Sequence, residues 1–167
     1  MTSSGITTAV LRTDRHLGDA VRVRVRAVQG GPEVARFIAD VTAPAFQLLV
    51  GVLVVVPGSR RIGLRALAVG GVTAGIARVT RDGFARPRPG VRTDGGFPSR
   101  HAATATAIAL TIARDKPLLG AVAVMAASAG LIARVASADH DPLDIVVGAG
   151  LGAVVGRIMR RRRPRRS

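Results

Sequence analysis

Phe46-Gln47-Leu48-Leu49-Val50-Gly51-Val52-Leu53-Val54-Val55-Val56 is almost unbroken hydrocarbon, and Pro57-Gly58-Ser59 ends it with turn residues. Taken back to residue 37, the run reaches the length of roughly 20 residues that a helix needs to cross a bilayer. Four further apolar stretches follow, at 62–79, 101–114, 117–135 and 143–159. The stretch 101–114 is short and rich in Ala and Thr, which predicts a helix shielded by its neighbours, with Arg114 snorkelling to an interface. The fold expected is all-α: a transmembrane helical bundle of about five membrane helices plus an N-terminal interfacial amphipathic helix.

Composition agrees with that reading. A chain of 167 residues is about one domain, and 48% hydrophobic content with a positive mean hydropathy exceeds what a soluble core of this size requires. The 25 basic residues, all Arg except Lys116, outnumber 10 acidic ones and give a net charge of +15, which asks for an anionic partner. Four Phe with no Tyr or Trp offer bases almost nothing to stack on, so nucleic acid is excluded in favour of membrane lipids and phosphate-bearing lipid. The missing Tyr and Trp also leave interfacial anchoring to the arginines. The absence of cysteine rules out disulfides, thiolate catalysis and cysteine-ligated zinc. Residues 1–40 are polar and arginine-rich, with no apolar core of a cleavable signal.

Small residues recur four apart at Gly71 and Gly75 and at Gly148, Gly152 and Gly156, a spacing that predicts close helix packing in lipid. Arginine placement predicts topology, because basic loops stay cytoplasmic. Arg160–Arg163, Arg165 and Arg166 put the C-terminus inside, as Arg60, Arg61 and Arg65 do for the loop at 57–61. Counting helices back places the polar segments 80–100 and 134–144 together on the outer face, and the N-terminus outside as well. Arg12, Arg15, Arg22, Arg24 and Arg26 pull the other way. Either residues 5–30 form a helix on the membrane surface or the orientation is inverted, and the outer face is preferred.

Ionisable residues that interrupt apolar sequence in a membrane protein are functional candidates. In Arg81-Asp82-Gly83-Phe84-Ala85-Arg86-Pro87-Arg88-Pro89, prolines hold guanidinium forks suited to phosphate oxygens; a basic loop touching lipid headgroups is the plainer reading. Pro98-Ser99-Arg100-His101 stands where a loop turns into a helix, with Ser99 as N-cap and His101 placed to give a proton to a leaving oxygen. In Arg134-Val135-Ala136-Ser137-Ala138-Asp139-His140-Asp141-Pro142-Leu143-Asp144, a helical register would put His140 and Asp144 on one face. The carboxylate would then fix one ring nitrogen and expose the other for attack. The plainer reading is that the three aspartates neutralise nearby arginines.

In order and spacing, the three clusters resemble the type 2 phosphatidic acid phosphatase superfamily. Its first motif, Lys followed after six residues by Arg-Pro, is matched by Arg81 and Arg88-Pro89, with Arg replacing Lys. Its second, Pro-Ser-Gly-His, is matched by Pro98-Ser99-Arg100-His101, with Arg replacing Gly, a change that trades backbone freedom near the phosphate for a charge. Its third, Ser-Arg, five residues, His, three residues, Asp, is matched by Arg134, His140 and Asp144, with Ala133 replacing Ser. The family commonly has six membrane helices, and this chain lacks the first.

The resemblance implies an integral-membrane lipid phosphate phosphatase with His140, His101 and Asp144 catalytic and Arg81, Arg88, Ser99, Arg100 and Arg134 holding phosphate. It implies a phosphohistidine on His140, protonation of the leaving group by His101, and no cofactor, since guanidinium groups replace metal charge. A metal site at His140 with Asp139, Asp141 and Asp144 is disfavoured because residues 139–141 would point in different directions on a helix. Residues 1–36 are then a basic arm, 37–160 the membrane-embedded phosphatase domain and 161–167 a basic cytoplasmic tail. The Ala- and Arg-rich composition suggests a GC-rich bacterial genome and, with it, a polyprenyl phosphate substrate. The flank exposed by the missing helix would suit a homodimer. The competing reading is a non-catalytic membrane scaffold that binds anionic lipid through its arginines.

Overall fold

The helix with the weakest apolar signal stands at the centre of the bundle. The computed structural model describes residues 3–83, 86, 88–90 and 95–161, which form six helices: α1 (Ser3–Arg26), α2 (Gly31–Val55), α3 (Arg60–Gly83), α4 (Arg100–Asp115), α5 (Pro117–Ala136) and α6 (Pro142–Arg161). The basic tail beyond Arg161 lies outside the described residues. At 16 residues α4 is about 24 Å long, short of a hydrocarbon core of about 30 Å. It packs against α3, α5 and α6, and its alanines 102, 103, 105, 107 and 109 are buried with Ile112. Small side chains around the helix let three neighbours approach, which is how a segment of modest hydropathy is shielded from lipid.

Helices α2, α3, α5 and α6 are each long and apolar enough to cross a membrane. Phe37, Leu48, Val55, Leu118, Met125 and Ile132 point outward and are exposed. An apolar exterior of this extent is foreign to a soluble monomer and suited to acyl chains, so the chain is a multi-pass membrane protein.

Local chemistry sets the helix ends. Pro32 and Pro117 occupy first-turn positions where no amide donor is needed, and Glu33 and Asp144 sit in the first turns of α2 and α6, on the positive side of the helix dipole. Lys116 both ends α4 and begins α5, and Gly120 lies against Ala113 where any Cβ would collide. The predicted small-residue contacts divide. Gly148 and Gly152 of α6 press on the Ser99 and Ala103 carbonyls of α4, leaving no room for a methyl group, whereas Gly156 is at ordinary distance from α4. Gly71 and Gly75 have open space instead, and in α3 it is Gly70 that meets α4, at Ile108. Spacing alone cannot tell which face of a helix turns inward.

Helix α1 buries a charged seam and exposes a mixture of apolar residues and arginines. Its buried face carries Asp14, Gly18 and Arg22, at a spacing of four, while Val10, Leu11, Leu17 and Val23 are exposed. Asp14 and Arg22 bond to residues 86 and 135–143, at the polar end of the bundle, so this helix lies across that end.

The close α4–α6 contact gives a paired prediction. Gly152→Ala should destabilise the protein by about 1–3 kcal/mol through overpacking. Gly75→Ala, with free space for its methyl, should be neutral or stabilising by up to about 1 kcal/mol. Thermal unfolding of the two variants in detergent checks the contrast.

Candidate active site

Helix α5 ends at Ala136 and α6 begins at Pro142, so the stretch 134–144 is a turn between helices rather than one helix. The turn is tight because Asp139 and His140 both donate their backbone N–H to the Arg134 carbonyl, at 3.0 and 3.2 Å. Ala138 adopts φ 61°, a left-handed conformation that costs a non-glycine residue about 1–2 kcal/mol. That reversal folds His140 back over the start of α6, where its Nδ1 lies 3.4 Å from Asp144 Oδ2. The expected pairing is therefore present, but by turn geometry. The contact lies within ion-pair distance and outside hydrogen-bond geometry, and neither nitrogen of the buried ring has a hydrogen-bond partner among the described residues.

Ser99 caps α4 as expected, its hydroxyl accepting from the Ala102 N–H at 3.4 Å, and its own N–H donates to the Asp144 carbonyl at 3.0 Å. This bond ties the start of α4 to the start of α6, and so His101 to the His140 turn. Arg134, Arg100, His140 and Arg88 all contribute to the electrostatic field at His101. Arg134 is held in place, Nη1 at 3.2 Å from Asp139 Oδ2 and Nη2 at 2.9 Å from the Ala39 carbonyl. Arg88 Nη1 donates to the Asp139 carbonyl at 3.4 Å. Two imidazoles and three guanidinium groups thus gather at one end of the bundle. Arg81, in the last turn of α3, is half-buried, and its guanidinium pairs with no other described side chain.

A cavity of about 490 Å³ leads away from this cluster between α2, α3, α4 and α5. Arg100, His101 and Arg134 line it together with apolar residues that include Phe46, Val50 and Ile108. His140 and Asp144 are not on its wall. Among the described residues, no group of three or more His, Cys, Asp or Glu side chains is arranged to hold a metal ion.

Comparison with known proteins agrees with this geometry. The family model described as the PAP2 superfamily matches residues 62–167, which include the Arg88, Ser99–His101 and Arg134–Asp144 segments. The chain belongs to the PAP2 superfamily. Two solved structures share its PAP2 fold: a transmembrane PAP2-type phosphatidylglycerolphosphate phosphatase from Bacillus subtilis and LpxE from Aquifex aeolicus. The first is 19% identical with a TM-score of 0.69, over 95% of this chain and 90% of the other. The second is 19% identical with a TM-score of 0.67, over 86% and 93% respectively. No curated protein matches the sequence.

Beneath the PAP2 motif residues lies a buried charge network that their pattern does not announce. Arg86 Nη2 is bonded to Asp14 Oδ2 and lies 3.2 Å from Asp141 Oδ2, while its Nη1 is 3.0 Å from Asp144 Oδ1. Arg22 Nη2 lies 3.2 Å from Asp141 Oδ1, and Asp14 Oδ1 accepts the Leu143 N–H at 2.7 Å. Burial opposes the Arg86 cation, but the Asp14 hydrogen bond and the charges of Asp144, Asp14 and Asp141 outweigh it and raise its pKa above the ordinary arginine value. Asp14 therefore acts from α1 as a cap for α6 and as an anchor for Arg86, whose other nitrogen faces the partner of His140. A sequence signal did exist: Asp14, Gly18 and Arg22 put an acid, a gap and a base on one helix face. Gly18 leaves the gap because a Cβ there would crowd the Arg22 guanidinium and Asp141.

Breaking a buried pair from one side strands the other charge, so Asp14→Ala should cost about 3–5 kcal/mol of stability. Asp19→Ala, on the exposed side of the same helix, should cost no more than about 1 kcal/mol. Melting temperatures of the two variants in detergent check the difference.

Proposed function

We propose that the protein is an integral-membrane lipid phosphate phosphatase that works through a phosphohistidine on His140 and requires no metal. The observation that carries the reading is the cavity: a cationic end with Arg100, His101 and Arg134 continues into an apolar channel, the shape of a ligand with a phosphate head and a hydrocarbon tail. Membership of the PAP2 superfamily supports the reaction class.

In this scheme His140 Nε2 attacks phosphorus while Asp144, next to Nδ1, orients the ring and balances the charge it gains. The P–O bond to the lipid breaks, and His101 gives its proton to the departing oxygen. Water then attacks the phosphohistidine, His101 takes up its proton, the P–N bond breaks, and inorganic phosphate leaves. Arg88, Arg134 and Arg100, with the Ser99 hydroxyl and the free N–H groups at the start of α4, hold the phosphoryl oxygens; Arg81 joins them from the end of α3. Because His140 is buried, attack requires the side chains over Nε2 to give way to the phosphate.

The favoured substrate is a polyprenyl phosphate or pyrophosphate. The favoured orientation places the site on the outer face, with α1 lying in the interface beside it, its apolar residues toward lipid. The apolar flank of the bundle would suit a second copy of the chain.

His140→Ala should abolish phosphate release from prenyl phosphates in detergent, and His101→Ala should slow it by ~10²- to 10⁴-fold. Rapid quench of wild type with ³²P-labelled substrate should trap acid-labile, base-stable label on the protein, and His140→Ala should trap none. Full activity should survive excess EDTA. Equal turnover by wild type and His140→Ala would overturn His140 as the nucleophile, and no turnover by either would return the reading to a lipid-binding scaffold.

A further inference from the structure

A second cavity, of about 450 Å³, opens between α3, α4 and α6. It stands at the opposite end of the bundle from the imidazole cluster. Along α4, His101 and Arg114 are separated by about 20 Å of helix, and along α6 Asp144 and Arg157 are separated by the same distance. Arg65, near the start of α3, completes a basic rim at that level with Arg114 and Arg157. The walls below are apolar and include Leu110 and Val154.

The rim charges do not balance. Arg65 Nη1 lies 3.1 Å from Asp115 Oδ2, which uses the one carboxylate lining the cavity. Arg114 and Arg157 have no acidic partner among the described residues. Cations at the edge of a hydrocarbon layer are costly unless they reach water or an anion. Two guanidinium groups above an apolar channel therefore match a molecule with an anionic head and an acyl tail.

The geometry points to a binding site for an anionic phospholipid in the leaflet opposite the reaction centre. Its phosphate lies between Arg114 and Arg157, and an acyl chain runs along Leu110 and Val154. The site takes a structural lipid, not the substrate, and does not depend on the catalytic reading. The three helices it joins carry Arg81, His101 and Asp144 at their far ends, so the lipid would clamp the elements that bring the polar cluster together. Arg60 and Arg61 at the same end enrich anionic lipid nearby in a general way, and the test must separate this from a defined site.

The chain contains no Trp or Tyr, so one introduced Trp is a clean reporter. Val154→Trp places it on the cavity wall, and Met125→Trp places it on the lipid-exposed surface of α5. Both are reconstituted in phosphatidylcholine vesicles doped with dibrominated phosphatidylglycerol or dibrominated phosphatidylcholine, and quenching is read against mole fraction. Val154→Trp should be quenched at several-fold lower phosphatidylglycerol than phosphatidylcholine, and Met125→Trp should show no such preference. Replacing Arg114 and Arg157 by Gln should weaken the preference by about fivefold per guanidinium, while replacing Arg60 and Arg61 should leave it largely intact. Equal preference at the two reporters, or equal loss in the two double variants, would mean diffuse surface attraction and overturn the site. So would abolition of the preference by millimolar inorganic phosphate, which would reveal a simple anion site. Should the arginine variants fail to fold, the comparison of the two reporters decides the question alone.

Discussion

A guanidinium group, that of Arg86, sits among the carboxylates of Asp14, Asp141 and Asp144 in a part of the protein where water is scarce. Each of these charges would be costly to bury alone, and together they neutralise one another. The contributing segments are α1, the loop before α4 and the turn into α6, which are far apart in sequence. Chain order and helix packing bring them within reach, but the ion pairs decide their relative placement, because a charge left unpaired there costs far more than a displaced methyl group. Arg22, on the other oxygen of Asp141, extends the same constraint along α1.

The catalytic candidates inherit their positions from this network. Asp144 faces Arg86 with one oxygen and His140 with the other, so the carboxylate beside the imidazole is held from behind. The Ser99 N–H on the Asp144 carbonyl then registers α4 against α6, and Gly148 and Gly152 let the two backbones close to that distance. His101 follows as the second residue of α4. A left-handed Ala138 is tolerated because both flanking segments are pinned, by Arg134 on one side and Asp144 on the other. The charge arrangement is two-sided: acidic and locked toward α1, basic toward the cavity between α2, α3, α4 and α5.

Helix α1 shows why a basic arm is hard to read from sequence in a membrane protein. Its buried residues include Asp14 and Arg22, while its exposed surface mixes Val10, Leu11, Leu17 and Val23 with Arg12, Arg15, Arg24 and Arg26, so charge stands on both sides and the rule that polar faces look outward does not find the buried one. Helix α4 carries little hydropathy for another reason, because it touches protein on most sides rather than acyl chains.

Length and hydropathy of the apolar runs, Pro and Gly at their ends, and the order of three ionisable clusters were sufficient to place an all-α bundle, its four helices long and apolar enough to cross a membrane, and the PAP2 superfamily, because these properties are local and each helix satisfies its own backbone bonds in lipid. The proximity of His140 to Asp144 was legible in their spacing, although the turn that creates it was not. Tertiary structure alone decided which glycines touch a neighbour, that Arg86 rather than Arg81 meets the aspartates, and that Asp14 and Arg22 belong to the site at all. Those outcomes depend on which helix face turns inward and on buried charges finding partners some 70 to 130 residues away, a pairing energy that no window along the chain contains.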